Sequence, residues 1–302
     1  MRPLVVLLVA LVTSPLAASE PPRTEALRAY EQGDYATAAR LLRPLAEQGD
    51  AEAQNTLGRV LMSGGKGVKR DDVEALWWFR KAADQGLARG QNNVGMMYER
   101  GAGVPQSDAD AATWYRRAAE QGFAVAQYNL GRLFEMGRGA PLDFAQAAQW
   151  YTKAAEQGFA RAQTSLGLLY LDGLGVEQSD ATALQWFHTA AELGFAEGEY
   201  YVGLMYGAGA GVTQNDNEAV SWYRKAAAQG LIEAANKLAM KTLARRSSDR
   251  DDVRNGVAKR EAAREAAEQQ VKDARTAERD ACSRKGGHFY EGSATDLGLC
   301  SK

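Results

Sequence analysis

Histidine, cysteine and proline are scarce in this chain, and each scarcity closes off a class of explanation. Only two histidines, His188 and His288, occur among 302 residues. A general base or a zinc-ligand set usually draws on that side chain, and neither histidine has a second one nearby in sequence. The two cysteines, Cys282 and Cys300, both lie near the C-terminus, so no cysteine framework braces the body of the chain. A C-x-x-C redox spacing is missing. Basic excess is missing as well: 36 Lys and Arg face 38 Asp and Glu, for a net charge of −2. Phosphate recognition needs clustered positive charge, so nucleic acid is not the expected partner. No serine elbow, zinc-ligand pair or carboxylate dyad stands out. The chain therefore does not read as an enzyme, and it implies no cofactor and no metal. Seven prolines leave long stretches free to be helical.

Glycine, by contrast, is plentiful at 31 residues, and it is periodic. Tryptophans at Trp78, Trp114, Trp150, Trp186 and Trp222 follow one another at steps of 36 residues. The alanine pairs from Ala82-Ala83 to Ala226-Ala227 keep that step, as do Gly86, Gly122, Gly158, Gly194 and Gly230. A further series runs Gly95, Gly131, Gly167, Gly203, with Gly58 one residue out of step because of an insertion in the loop at 63–67. Several registers in phase identify a repeat architecture.

Each unit divides into two helices. In the second, Ala75, Trp78, Phe79, Ala82 and Ala83 share one helical face. Asp72, Asp108, Asp180 and Asp216 are expected to cap its start, and Gly86 and its equivalents to end it. The first helix carries Ala51, Ala53, Leu57, Gly58 and Leu61 and their counterparts. Mid-helix glycine costs about 1 kcal/mol relative to alanine; its recurrence implies that a backbone or an aromatic ring approaches there. Gly-x-Gly-Val segments such as Gly101-Ala102-Gly103-Val104 read as turns, since no strand precedes them. The fold class is all-α: a solenoid of 36-residue helix-turn-helix repeats in which stacking buries the tryptophans and small residues between units.

The two ends differ from the body. Met1-Arg2, the apolar run Leu4–Val12 and the small residues Ala17, Ala18 and Ser19 form a signal-peptide layout over 1–19, with cleavage after Ala18 or Ser19. The run is too short for a bilayer span of about 20 residues, so a soluble periplasmic or secreted protein is expected. A degenerate capping hairpin occupies 20–50, its second helix interrupted by Pro44. Five repeats fill 51–230, and a lone capping helix follows at 231–245. A charged helix or linker spans 246–281, with Ser247 to Arg254 the most linker-like stretch. Its alanine stripe is thin for a coiled-coil seam, which favours a solvated spacer. In the tail at 282–302, a Cys282–Cys300 disulfide would close a short loop, worth roughly 3 kcal/mol in the chain-entropy model.

Strings such as AVAQYNLGRLFEMGRG and WYTKAAEQG resemble Sel-one-like repeats, relatives of tetratricopeptide repeats. The resemblance spans residues 24 to about 245. It implies a right-handed α/α solenoid and a non-catalytic adaptor, often an exported bacterial protein or a secretory-pathway component. Partners implied are signalling, envelope-biogenesis or host proteins. Some cysteine-rich relatives are linked to β-lactam binding or hydrolysis, but those carry a cysteine pair in each repeat and this repeat region has none. An envelope hydrolase acting on β-lactam or peptidoglycan, or a structural protein associated with the cell wall, stands as the alternative.

The copies also serve as an internal alignment. Positions that vary on one stripe of the first helix are free for a partner. They include Asn92 and Met96 in one unit, then Tyr128, Arg132 and Glu135, then Thr164 and Leu168, then Tyr200 and Leu204. By resemblance to tetratricopeptide arrays this stripe lines the concave face. Tyrosine, methionine, leucine and arginine gathered there suit a protein or peptide. The leucines would equally suit packing beneath neighbouring helices.

Overall fold

A computed structural model describes residues 22–284, 288–290 and 299–301. The expected signal peptide at 1–19 lies outside the described residues. The described chain falls into two units, divided between Leu231 and Ile232.

The first unit is a run of antiparallel helix pairs. It opens with α1 (Pro22–Glu31) and α2 (Tyr35–Glu47), and α2 passes through Pro44 without a break. Five pairs follow: α3 (Ala51–Ser63) with α4 (Asp72–Asp84), α5 (Ala88–Arg100) with α6 (Asp108–Glu120), α7 (Ala124–Met136) with α8 (Phe144–Ala155), α9 (Ala160–Asp172) with α10 (Asp180–Glu192), and α11 (Ala196–Ala208) with α12 (Asp216–Ala228). Each helix packs on its predecessor and its successor, so the unit is a one-dimensional stack held by neighbour contacts.

The mid-helix glycines explain how close that packing is. A Cβ on Gly131 would lie 2.8 Å from Cδ1 and Cε1 of Tyr151 and 3.2 Å from the carbonyl of Ala147. Gly58, Gly95, Gly167 and Gly203 meet Phe79, Tyr115, Phe187 and Tyr223 in the same way. The missing methyl lets a ring from the second helix press close against the backbone of the first. These rings, one residue after the periodic tryptophans, are the fully buried ones. Of the tryptophans, Trp78 and Trp150 are buried, whereas Trp114, Trp186 and Trp222 are half-buried. Cations cover the faces of three of them: Arg117 lies 4.6 Å from the Trp114 ring centre, Lys153 3.9 Å from Trp150 and Lys225 3.6 Å from Trp222. An indole in this register sits at the edge of the interface, and the ring beside it fills the centre.

The caps also differ from expectation. Asp72, Asp108, Asp180 and Asp216 are first-turn residues. The capping side chains belong to the residues before them, Asp71, Ser107, Ser179 and Asn215, with Asp143 in the corresponding place before α8. Each has the extended backbone a cap requires, and its oxygen accepts from an amide two or three residues on. The displaced aspartates still meet the positive end of the helix dipole. In the loops, Gly103 has φ +69 and an added Cβ would fall 2.3 Å from the carbonyl oxygen of Asp72. This turn glycine is also where one unit's loop touches the start of the preceding unit's second helix.

The second unit holds α13 (Ile232–Arg284), 53 residues long. The expected boundary at 245/246 and the linker at Ser247–Arg254 are therefore corrected: the helix runs through both. No proline interrupts it, and Arg264 donates to Glu268 at 3.0 Å while Gln269 donates to Asp273 at 2.8 Å, both one turn apart. Two short strands follow, β1 (His288–Tyr290) and β2 (Leu299–Ser301). They pair antiparallel with Phe289 opposite Cys300, an element the sequence reading did not anticipate. The Cys282–Cys300 disulfide rests on side chains outside the described residues. No described helix is long and apolar enough to cross a membrane.

Candidate functional site

The first helices of successive units are held in register by buried amides. Nε2 of Gln54, Gln91, Gln127 and Gln163 donates to the carbonyl of Ala46, Ala83, Ala119 and Ala155, at the end of the preceding second helix. Their own oxygens accept from the next unit boundary: Gln85 reaches Gln54 and Gln121 reaches Gln91 at 2.7 Å, and Gln157 reaches Gln127 at 2.8 Å. At the fourth joint Leu193 occupies the donor's place. Oε1 of Gln163 is buried there without a partner among the described residues. At the fifth, Gln229 donates to Glu199, a glutamate where the other units have glutamine. Burial raises the Glu199 pKa above the ordinary carboxylate value, against the opposing pull of the Gln229 bond and the Lys225 charge.

With the helices so fixed, the variable stripe becomes a continuous surface. A cleft of about 570 Å³ is lined by Asn92, Met96, Tyr128 and Arg132, together with Glu99, Arg100, Asn129, Arg138 and Arg161. A second, of about 330 Å³, is lined by Tyr128, Arg161, Thr164, Leu168, Phe195, Glu197 and Tyr201. Tyr128 and Arg161 belong to both. Six of the nine expected stripe residues thus fall on these walls: Asn92, Met96, Tyr128, Arg132, Thr164 and Leu168.

Several of them also have structural duties. Asn92 is buried and accepts from Asn129 at 3.0 Å. The Thr164 hydroxyl is spent on the Ala160 carbonyl. Tyr128 leans on Tyr151 and Phe159, with ring centres 5.6 and 5.3 Å away. Arg132 pairs with Glu99 at 2.6 Å. Glu135 lines neither cleft; it accepts the hydroxyl of Tyr151. Tyr200 and Leu204 also line neither, and Tyr200 packs beside Tyr201 and Tyr223.

Sequence reasoning placed Arg132 on the stripe but did not foresee the charge cluster it joins at the centre. Glu99 accepts from Arg132 and from the Tyr115 hydroxyl, the latter at 2.9 Å, and lies 3.6 Å from Arg138. Arg138 in turn makes a two-pronged contact with Asp108. Burial first, and the Glu99 carboxylate second, push the Tyr115 phenol up, so it stays a neutral donor. The only hint in sequence is that position 99 is acidic where position 171 is leucine.

The family model described as the Sel1 repeat matches five times, at residues 51–87, 88–123, 124–159, 160–195 and 196–231. The chain belongs to the Sel1 repeat family. A solved Sel1 repeat protein from Oxalobacter formigenes is 34% identical with a TM-score of 0.66, covering 72% of this chain and 86% of that one. A protective antigen of uropathogenic Escherichia coli with the same repeat fold is 37% identical, also with a TM-score of 0.66; it covers 72% of this chain, which spans 47% of the antigen. Over 75 residues the chain is 36% identical to HRD3A of Arabidopsis thaliana, a component of an ERAD-associated E3 ubiquitin-protein ligase. That stretch is 25% of this chain and 10% of HRD3A.

His188, half-buried, packs edge-on to Tyr206 and Trp222, and burial lowers its pKa. Among the described residues no group of three His, Cys, Asp or Glu side chains is placed to hold a metal ion.

Proposed function

We propose that this Sel1 repeat protein is a non-catalytic scaffold of the cell envelope, exported through its N-terminal signal and holding a protein partner along the first-helix face. The observation that carries this reading is the continuity of the two clefts, which share Tyr128 and Arg161 and cross α5, α7, α9 and the start of α11. Each first helix contributes a different set of side chains to a surface whose spacing is fixed by the amide ladder. Such a surface suits an extended or irregular protein segment more than a small metabolite. The HRD3A relationship is consistent with work inside a protein assembly.

The test is site-specific photocrosslinking in the intact cell. Benzoylphenylalanine in place of Val125, on the wall of the larger cleft, is expected to capture one protein in stoichiometric yield. The same group in place of Gln149, exposed on the second helix α8, is expected to capture none. Equal capture from both positions refutes the groove. Recovery with the murein fraction alone points instead to a wall-associated role.

A further inference from the structure

The larger cleft has an unbalanced charge. Four guanidinium groups line it, from Arg100, Arg132, Arg138 and Arg161, against the single carboxylate of Glu99. Two of the four are already engaged. Arg132 holds Glu99, and Arg138 divides its contacts between Asp108 and Glu99. Glu99 is itself satisfied by three donors or charges, so nothing remains on it for the other two arginines. Arg100 and Arg161 are exposed, and their side chains make no ion pair or hydrogen bond with any described residue. The chain as a whole is slightly acidic at −2, so this basic excess is local to the cleft.

Their placement is informative. Arg100 ends α5 and Arg161 lies in the first turn of α9. The two free charges therefore sit toward opposite ends of the cleft, with Tyr128 and Arg132 of α7 between them. Beyond Arg161 the surface changes character: Leu168, Phe195 and Tyr201 form the adjoining pocket, and Glu197 is its one carboxylate. An acidic group would be repelled there, whereas an aliphatic or aromatic side chain would lose water favourably. Guanidinium groups aimed at open space are suited to carboxylates, which they can grip through two parallel hydrogen bonds.

Resting on the groove assignment above, we propose that the occupant is an extended acidic peptide segment of the partner. Its carboxylates meet Arg100 and Arg161, and a large apolar side chain just beyond them sits over Leu168 and Phe195. The carboxylate at one end can come from an Asp or Glu side chain or from a chain terminus; the recognition chemistry is the same.

Random dodecapeptide arrays, one set with free C-terminal acids and one anchored through the C-terminus, are probed with the labelled full-length mature chain. The expected hits combine acidic residues with a neighbouring Leu, Ile, Phe or Tyr, and their affinity falls as salt is raised. Binding confined to the free-acid set assigns one contact to the terminal carboxylate; binding on both sets assigns it to side chains. Arg100→Gln with Arg161→Gln is expected to weaken the hits about tenfold without moving the thermal midpoint, because neither side chain has a partner to lose. Hits rich in Lys or Arg, or hits indifferent to the double variant, overturn the proposal. If indifferent hits still crosslink through position 125, the groove stands and only its acidic specificity falls. If no peptide binds, or none crosslinks there, both readings fall.

Discussion

Leu193→Gln is expected to stabilise the protein, and the reason can be worked from a single atom. In three joints of the stack, a glutamine at the end of the second helix donates to the buried glutamine of the unit it packs against, at 2.7–2.8 Å. Leu193 cannot donate, and 58% of it is exposed to solvent. Oε1 of Gln163 is left without a partner. A buried acceptor in that condition costs about 1–3 kcal/mol. Ordering a new glutamine side chain takes back part of that, up to about 1.5–2 kcal/mol by the less favourable scale. The net gain should be about 1 kcal/mol, or a rise of roughly 2–4 °C in the thermal midpoint for a unit of this size. Urea unfolding followed by far-ultraviolet circular dichroism measures it. The same substitution in a Gln163→Met background should yield no gain, since the acceptor is gone. A gain that persists there would show that shedding an exposed leucine, and not completing the ladder, is responsible. A loss of stability in the wild-type background would refute the hydrogen-bond reasoning outright.

Gly131→Ala should be destabilising by about 1–3 kcal/mol in spite of alanine's better helix propensity, because its Cβ would press on the Tyr151 ring; thermal melts decide the sign. Tyr151→Ala should cost about 3–5 kcal/mol as a truncation at the centre of the interface, against about 2 kcal/mol for Trp222→Ala at its edge; equal losses would contradict the assignment of centre and edge. Glu199 has a raised folded-state pKa, so its protonated form is favoured by folding. Its contribution is fully present below the unfolded pKa and is lost as pH rises through the folded one. Glu199→Gln should accordingly match the parent in acid and exceed it increasingly as pH rises above about 4.5, a divergence that parallel urea titrations at several pH values would reveal.

The repeat made the fold legible because it is written in residues that packing cannot exchange. Glycine at 95, 131, 167 and 203 announces a ring against the backbone, and the rings are there. Tryptophan was a less direct guide. The invariant letter marks the edge of the interface, while the buried centre alternates between Phe and Tyr and so looks more permissive. The caps misled for a related reason: Asp recurs at the first helical position, but the true caps vary among Asp, Ser and Asn, any of which can accept an amide hydrogen. Position 247–254 reads as a linker from its polar content, yet nothing in it breaks a helix. For the groove, variability picked out a stripe on α5, α7 and α9, six of whose members line the two clefts. It could not separate side chains facing a cleft from those, such as Glu135 and Tyr200, committed to a neighbour's ring. The free arginines emerge only when the pairing of Arg132 and Arg138 is known.

The rungs that tie one hairpin to the next have a consequence for how such a chain can change. Gln163 meets the Ala155 carbonyl through the same geometry by which Gln127 meets Ala119. Excising 124–159 as a cassette would bring Gln163 to Ala119 with every remaining join in phase. Duplication or loss of one copy is then a modest event for folding but, under the proposed groove, a large one for recognition, because α7 carries Tyr128 and Arg132. Lineages can redraw what the molecule holds by copying or dropping a single exon-sized block, without first inventing a new way to pack it.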